Sequence, residues 1–78
     1  MSQRERYPMP DFILEALKQS GVKEDYDKRP PYQQNDYIGW ITRAKQEATR
    51  QKRLTQMVEE LKVGGVYMKM AHPASQKT

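Results

Sequence analysis

Between Trp40 and Leu61 the chain contains neither proline nor glycine, so backbone propensity alone permits one long helix. Side-chain phase forbids it. At ~100° per residue, Tyr37, Trp40, Ile41, Ala44 and Ala48 share one face, whereas Leu54, Met57, Val58 and Leu61 share another, turned by roughly 100° from the first. Continuing the first stripe would bury Gln51, Thr55 and Lys62, which would lose water with no partner in return. A break at residues 46–49 resolves the conflict. One helix then starts near Pro31–Tyr32 and runs to about Lys45, and another runs from about Ala48 to Val63, where Gly64-Gly65 stops it.

An earlier helix is written in "PDFILEALKQSG". Pro10 suits its start, where no backbone donor is needed. Asp11 and Glu15 lie toward its positive end and Lys18 toward its negative end. Ile13, Ala16 and Leu17, with Phe12, make its apolar face. Gly21 fits a left-handed position after the last turn, with Val22 folding back onto Leu17. "KEDYDKRPPY" reads as a charged connection, plugged into the core by Tyr26. Gly39, inside the second helix, costs about 1 kcal/mol relative to alanine; it is either a point of close approach or a tolerated defect. "VYMKM" alternates weakly, has no second strand run to pair with, and reads as an extended segment against the helices. The expected organisation is all-α: a three-helix domain over residues 9–65, a flexible N-terminus at 1–8, and an extended or disordered tail at 66–78.

A chain of 78 residues with a hydrophobic fraction of 36% and a charged fraction of 31% has a thin core. Domains of this size rarely draw more than about 3–5 kcal/mol from it. There is no cysteine and a single histidine, His72, so disulfides, thiolate sites and histidine-based zinc sites are excluded and no metal or cofactor is expected. The polar start "MSQRERYP" lacks the apolar stretch of a secretory signal. No run approaches the ~18 apolar residues of a membrane span, and a cytoplasmic protein is expected.

Catalytic sets are missing too. His72 sits in the "AHPAS" tail, where little holds it in place. Glu24/Asp25 and Glu59/Glu60 are sequence neighbours, which do not face each other on a helix, and read as solvated surface. Gly64-Gly65 lacks the Lys-Ser/Thr of a phosphate loop. No catalytic residue is assigned, and no enzymatic activity is expected. Tyr26, Tyr37 and Trp40 read as core rather than as a stacking platform for bases, with Trp40 joining the second helix to the other two. Met57, Met68 and Met70 read as gap fillers rather than as an adaptable docking groove.

The net charge of +4 favours anionic partners or simply solubility. The charge concentrates in "WITRAKQEATRQKRL", where Arg43, Lys45, Arg50, Lys52 and Arg53 face one acid, Glu47. These five form the candidate binding surface for an anion or a partner, and Arg50 and Arg53 are expected to be exposed. The competing reading is a solvated charged face with local pairs such as Arg43–Glu47. The leading functional expectation is a non-enzymatic interaction module for a protein partner. The alternative is a weak nucleic-acid or polyanion binder using the basic joint.

The run "RPPYQQNDYIGWITRAKQEATRQKRLTQMVEEL" resembles the YdeI/OmpD-associated (bacteriocin-protection) family. The shared positions are Pro30, Pro31, Tyr37, Trp40, Ile41, Ala44, Lys45, Thr49, Arg50, Arg53 and Leu54, and "MPDFILEAL" also looks like short members. The resemblance implies a small helical bacterial module linked to bacteriocin protection and envelope stress, and no established reaction. Three positions depart from the pattern: Tyr32 stands where serine is frequent, Glu47-Ala48 where Pro-Glu is frequent, and Arg29 where leucine is frequent.

Overall fold

The computed structural model describes residues 7–71. Four helices, α1 (Asp11–Gln19), α2 (Lys23–Lys28), α3 (Pro31–Thr42) and α4 (Glu47–Val63), are followed by a hairpin of β1 (Val66–Tyr67) and β2 (Met70–Ala71). The small all-α class read from the sequence holds, with two additions: α2 and the hairpin.

α1 forms as its pattern dictates. Ile13 and Leu17 are fully buried. At its end the Val22 N–H bonds to Leu17 O at 3.0 Å and the Gly21 N–H to Lys18 O at 3.2 Å, the paired bonds of a Schellman motif. Gly21 has φ 72°, which glycine adopts without strain.

The charged connection contains a helix. α2 carries Glu24 and Asp25 in its first turn and Lys28 in its last, each favourable to the helix dipole. Lys23 pairs with Asp27 at 2.8 Å, one turn on. Tyr26 alone points inward, 5% exposed. One apolar residue in six makes no stripe, so periodicity was blind to this helix. The prolines restrict only the residue directly before them, and Arg29 is duly extended at φ −70°, ψ 150°.

The joint between α3 and α4 exists, but it spans residues 43–46 rather than 46–49. α3 ends at Thr42 rather than Lys45, and residues 47–49 are helical. Gln46, at φ −101° and ψ 143°, is the extended residue that breaks the ladder. The two apolar stripes are thereby decoupled. Tyr37, Ile38 and Ile41 of α3 meet Leu54, Met57, Val58 and Leu61 of α4 in the core, together with Ile13, Leu17, Val22 and Tyr26.

After Gly64 and Gly65, both at positive φ, the chain reverses again at Met68 (φ 51°) and Lys69 (φ 66°). Positive φ at both central residues is the geometry of a type I′ hairpin turn. Val66 thereby pairs with Ala71 and Tyr67 with Met70. The missing second strand is supplied by the two residues after the turn.

Gly39 is a point of close approach. The Tyr7 N–H bonds to Asn35 Oδ1 at 2.8 Å, and its ring lies so close that a Cβ at Gly39 would stand 2.6 Å from Tyr7 Cε2. Gly39→Ala is expected to eject the Tyr7 ring and to cost about 1 kcal/mol net, lost packing outweighing the gain in helix propensity. In a Tyr7→Ala background the sign should reverse, to a stabilisation of up to about 1 kcal/mol. Urea melts of the four proteins check this; the same sign in both backgrounds would refute the contact.

Candidate interaction site

The structure divides the five cations of the joint. Arg43 caps α3 and is exposed, as are Lys45 and Lys52, and none of their three side chains has a hydrogen-bond or ion-pair partner among the described residues. Arg50 and Arg53 are not free surface groups: both are half-buried and turned back onto the protein. Arg53 Nη1 donates to Trp40 O at 2.7 Å, a carbonyl in the last turn of α3 that the helix itself leaves without a partner. Its guanidinium also lies 5.3 Å from the centroid of the Trp40 ring, within cation–π range. Arg50 donates through Nη2 to Ala44 O at 3.2 Å and through Nη1 to Glu47 at 2.7 Å.

Glu47 therefore pairs with Arg50, not with Arg43, and Gln51 holds its other oxygen at 2.8 Å. Helical phase explains the division. Arg50 and Arg53, three residues apart, share one side of α4, whereas Lys52 lies roughly 160° from Arg50. Trp40 packs against the core from its edge rather than within it. With Arg53 over its ring, it offers no open platform for a base.

A second polar cluster is buried, and sequence reasoning missed it. Glu59 is exposed as expected, but its neighbour Glu60 is only 6% exposed, alongside Arg29 at 5% and Gln33 at 0%. Glu60 Oε1 accepts from the Tyr37 hydroxyl at 2.5 Å and from the Met68 N–H at 2.8 Å. Its Oε2 accepts from the Lys69 N–H at 2.8 Å and from Gln56 Nε2 at 3.0 Å. Arg29 donates to Val66 O (2.8 Å), Glu60 O (3.2 Å) and Gln33 Oε1 (3.2 Å). The cluster ties α3, α4 and the hairpin together, and no buried side-chain polar atom among the described residues lacks a partner.

Two signals pointed there. Glu60 follows Met57 by three residues and adjoins Leu61, at the edge of the α4 stripe. Arg29 stands where the family pattern favours leucine. What no pattern showed was the hairpin turn whose N–H groups fall on the Glu60 carboxylate.

The aromatic residues bridge α3 and the hairpin. The Tyr67 ring packs edge-to-face on Tyr37 and on Tyr32, with centroids 5.4 and 6.1 Å apart, and its hydroxyl donates to Asp36 Oδ2 at 2.6 Å. Burial, reinforced by the Asp27 charge, pushes the Tyr26 phenol up to about 12. Burial, then the bond to Glu60, drives the Tyr37 phenol higher still. Both phenols thus stay protonated far above neutral pH and act as fixed donors. Among the described residues no three of His, Cys, Asp and Glu converge as a metal site, and no helix is long and apolar enough to cross a membrane.

Compared with known proteins, residues 6–64 match the family described as "Bacteriocin-protection, YdeI or OmpD-Associated". No curated protein and no solved structure matches the chain.

Proposed function

Because the chain belongs to the bacteriocin-protection, YdeI or OmpD-associated family, we propose that it acts in bacteriocin protection as a non-enzymatic interaction module that binds a protein partner. The observation that carries this reading is the saturation of Glu60, the buried carboxylate among the described residues. A carboxylate offers about four acceptor positions. Glu60 uses them on Tyr37, Gln56, Met68 and Lys69. A general base must keep a lone pair for the proton it removes, and Glu60 has surrendered its own to the fold. Tyr37, its neighbour, is held as a donor in the same network. The surface is then what the domain has to offer.

The alternative, a polyanion binder, draws on the three exposed cations Arg43, Lys45 and Lys52. Three contacts give weak and steeply salt-sensitive phosphate binding, without base stacking at Trp40.

In a bacteriocin-sensitive bacterium, expression of the full chain is expected to raise survival. Tagged protein recovered from those cells should carry a protein in roughly equimolar amount, retained as salt is raised. Unchanged survival would remove the protective role. Capture of nucleic acid alone, lost at high salt, would replace the protein-binding reading by the polyanion one.

A further inference from the structure

The hairpin is held over Glu60 and Arg29 by its backbone. The Met68 and Lys69 N–H groups donate to the two oxygens of the Glu60 carboxylate, and Val66 O accepts from Arg29 Nη1, each at 2.8 Å. The Lys69 side chain is exposed, and those of Tyr67 and Met68 pack on the edge of the core, with the Tyr67 ring 5.4 Å from that of Tyr37. The buried acid and the buried base therefore read a backbone shape: two successive N–H groups at a tight turn, and a carbonyl two residues before the first of them. Successive N–H groups of a turn form a cradle for an anion, and here the anion belongs to the fold.

Such a cover can be exchanged. Its turn is strained, because Met68 and Lys69 hold φ 51° and 66° without being glycine. Its strands are two residues each, too short to stand without the face on which they lie. Gly64 and Gly65 join it to α4, and glycine changes its backbone angles at little steric cost. Arg29, Tyr37 and Glu60 lie within the residues that match the family, whereas the hairpin lies beyond them. The face also sets the terms for whatever covers it. A buried charge without partners is costly, so a covering segment must give Glu60 two donors and Arg29 an acceptor, which a purely apolar surface cannot do. Exchange on these terms keeps all four acceptor positions of Glu60 occupied.

We propose that the hairpin occupies the docking face of the protein partner, and that the partner displaces it with a β-turn of its own, carrying an aromatic residue directly before the turn and two N–H donors at its centre. The proposal rests on the interaction-module reading and specifies its chemistry: the partner binds over Glu60 and Arg29 rather than at the basic joint, and the hairpin is an intramolecular stand-in that holds the affinity down.

The probe is the end-blocked peptide of residues 64–71, GGVYMKMA, isotope-labelled at its Met68 and Lys69 nitrogens and titrated by NMR against the unlabelled full chain. Saturable shifts of its two turn N–H signals are expected. The same peptide carrying Met68→Pro, which lacks one donor, should not bind. In the chain, Met68→Asn with Lys69→Gly keeps both donors and relieves the turn, because Asn-Gly suits the type I′ geometry. This double variant should be at least as stable as the natural chain. It should slow hydrogen exchange of the hairpin amides about fivefold to thirtyfold and weaken peptide binding by a similar factor. No saturable shift, equal binding of the proline peptide, or equal binding by the natural and double-variant chains would overturn the exchange. So would hairpin amides that exchange no faster than those of the α4 core, since the hairpin would then open only with the whole domain. The survival assay separates the two levels of the argument: protection by the double variant equal to that by the natural chain sinks the exchange alone, whereas absence of protection by the natural chain sinks the module.

Discussion

Glu60→Ala is expected to leave the domain largely unfolded at room temperature. The substitution strands the Tyr37 hydroxyl and the Met68 and Lys69 N–H groups, all of which donate to that carboxylate. Removing one member of a buried charged network costs about 3–5 kcal/mol, comparable with all the stability a core of this size supplies. The hairpin should go first, because Met68 and Lys69 hold positive φ without being glycine, a strained state that persists only while its surroundings enforce it. Glu60→Gln should rescue little. Either orientation of the amide sets an NH2 group against two donors, Tyr37 with Met68 or Lys69 with Gln56. Glu59→Ala, one residue away and exposed, should fall within about 0.5 kcal/mol of the natural protein. Urea midpoints for the three variants decide the matter. A Glu60→Ala midpoint equal to that of Glu59→Ala would show that the carboxylate is not part of the fold.

The double reversal Arg50→Glu with Arg53→Glu should destabilise the domain by about 2–4 kcal/mol. From the sequence both side chains belonged on the surface, and reversing them would leave the fold intact. The structure makes Arg53 the partner of Trp40 O and the cover of the Trp40 ring. A charge-assisted bond of this kind contributes about 1.5–3 kcal/mol, and the ring contact roughly 0.5–1 kcal/mol more where it is partly exposed. Arg50 adds less, because its pair with Glu47 is largely exposed. The reversed side chains would also place carboxylates at the negative end of α3. Lys45→Glu with Lys52→Glu makes the same change in net charge at exposed positions and should move the midpoint little. If the two double mutants melt together, net charge rather than carbonyl bonding governs the joint.

What the sequence determined by itself was whatever is encoded within a few residues. The first helix and its stop were legible because apolar spacing, terminal charges and a glycine act over one or two turns. The joint was legible because two stripes out of phase cannot share one helix, although its position was set by Gln46, four residues beyond Thr42, the last residue of α3. Family membership was legible in the run of Tyr37, Trp40, Ile41, Ala44 and the arginines after them. The inward face of those arginines was not, because a guanidinium on a long stem reaches a carbonyl 13 residues away, and periodicity says only which side it starts from. Nor was the burial of Glu60. A carboxylate survives in a core only when enough donors converge on it. Here they arrive from α3, from α4 itself and from the hairpin that follows it, 23 residues before it and up to nine after. The aromatic contact between α3 and the hairpin is of the same kind. Tyr32 and Asp36 are neighbours by helical spacing, but only the fold brings Tyr67, 31 residues beyond Asp36, onto both.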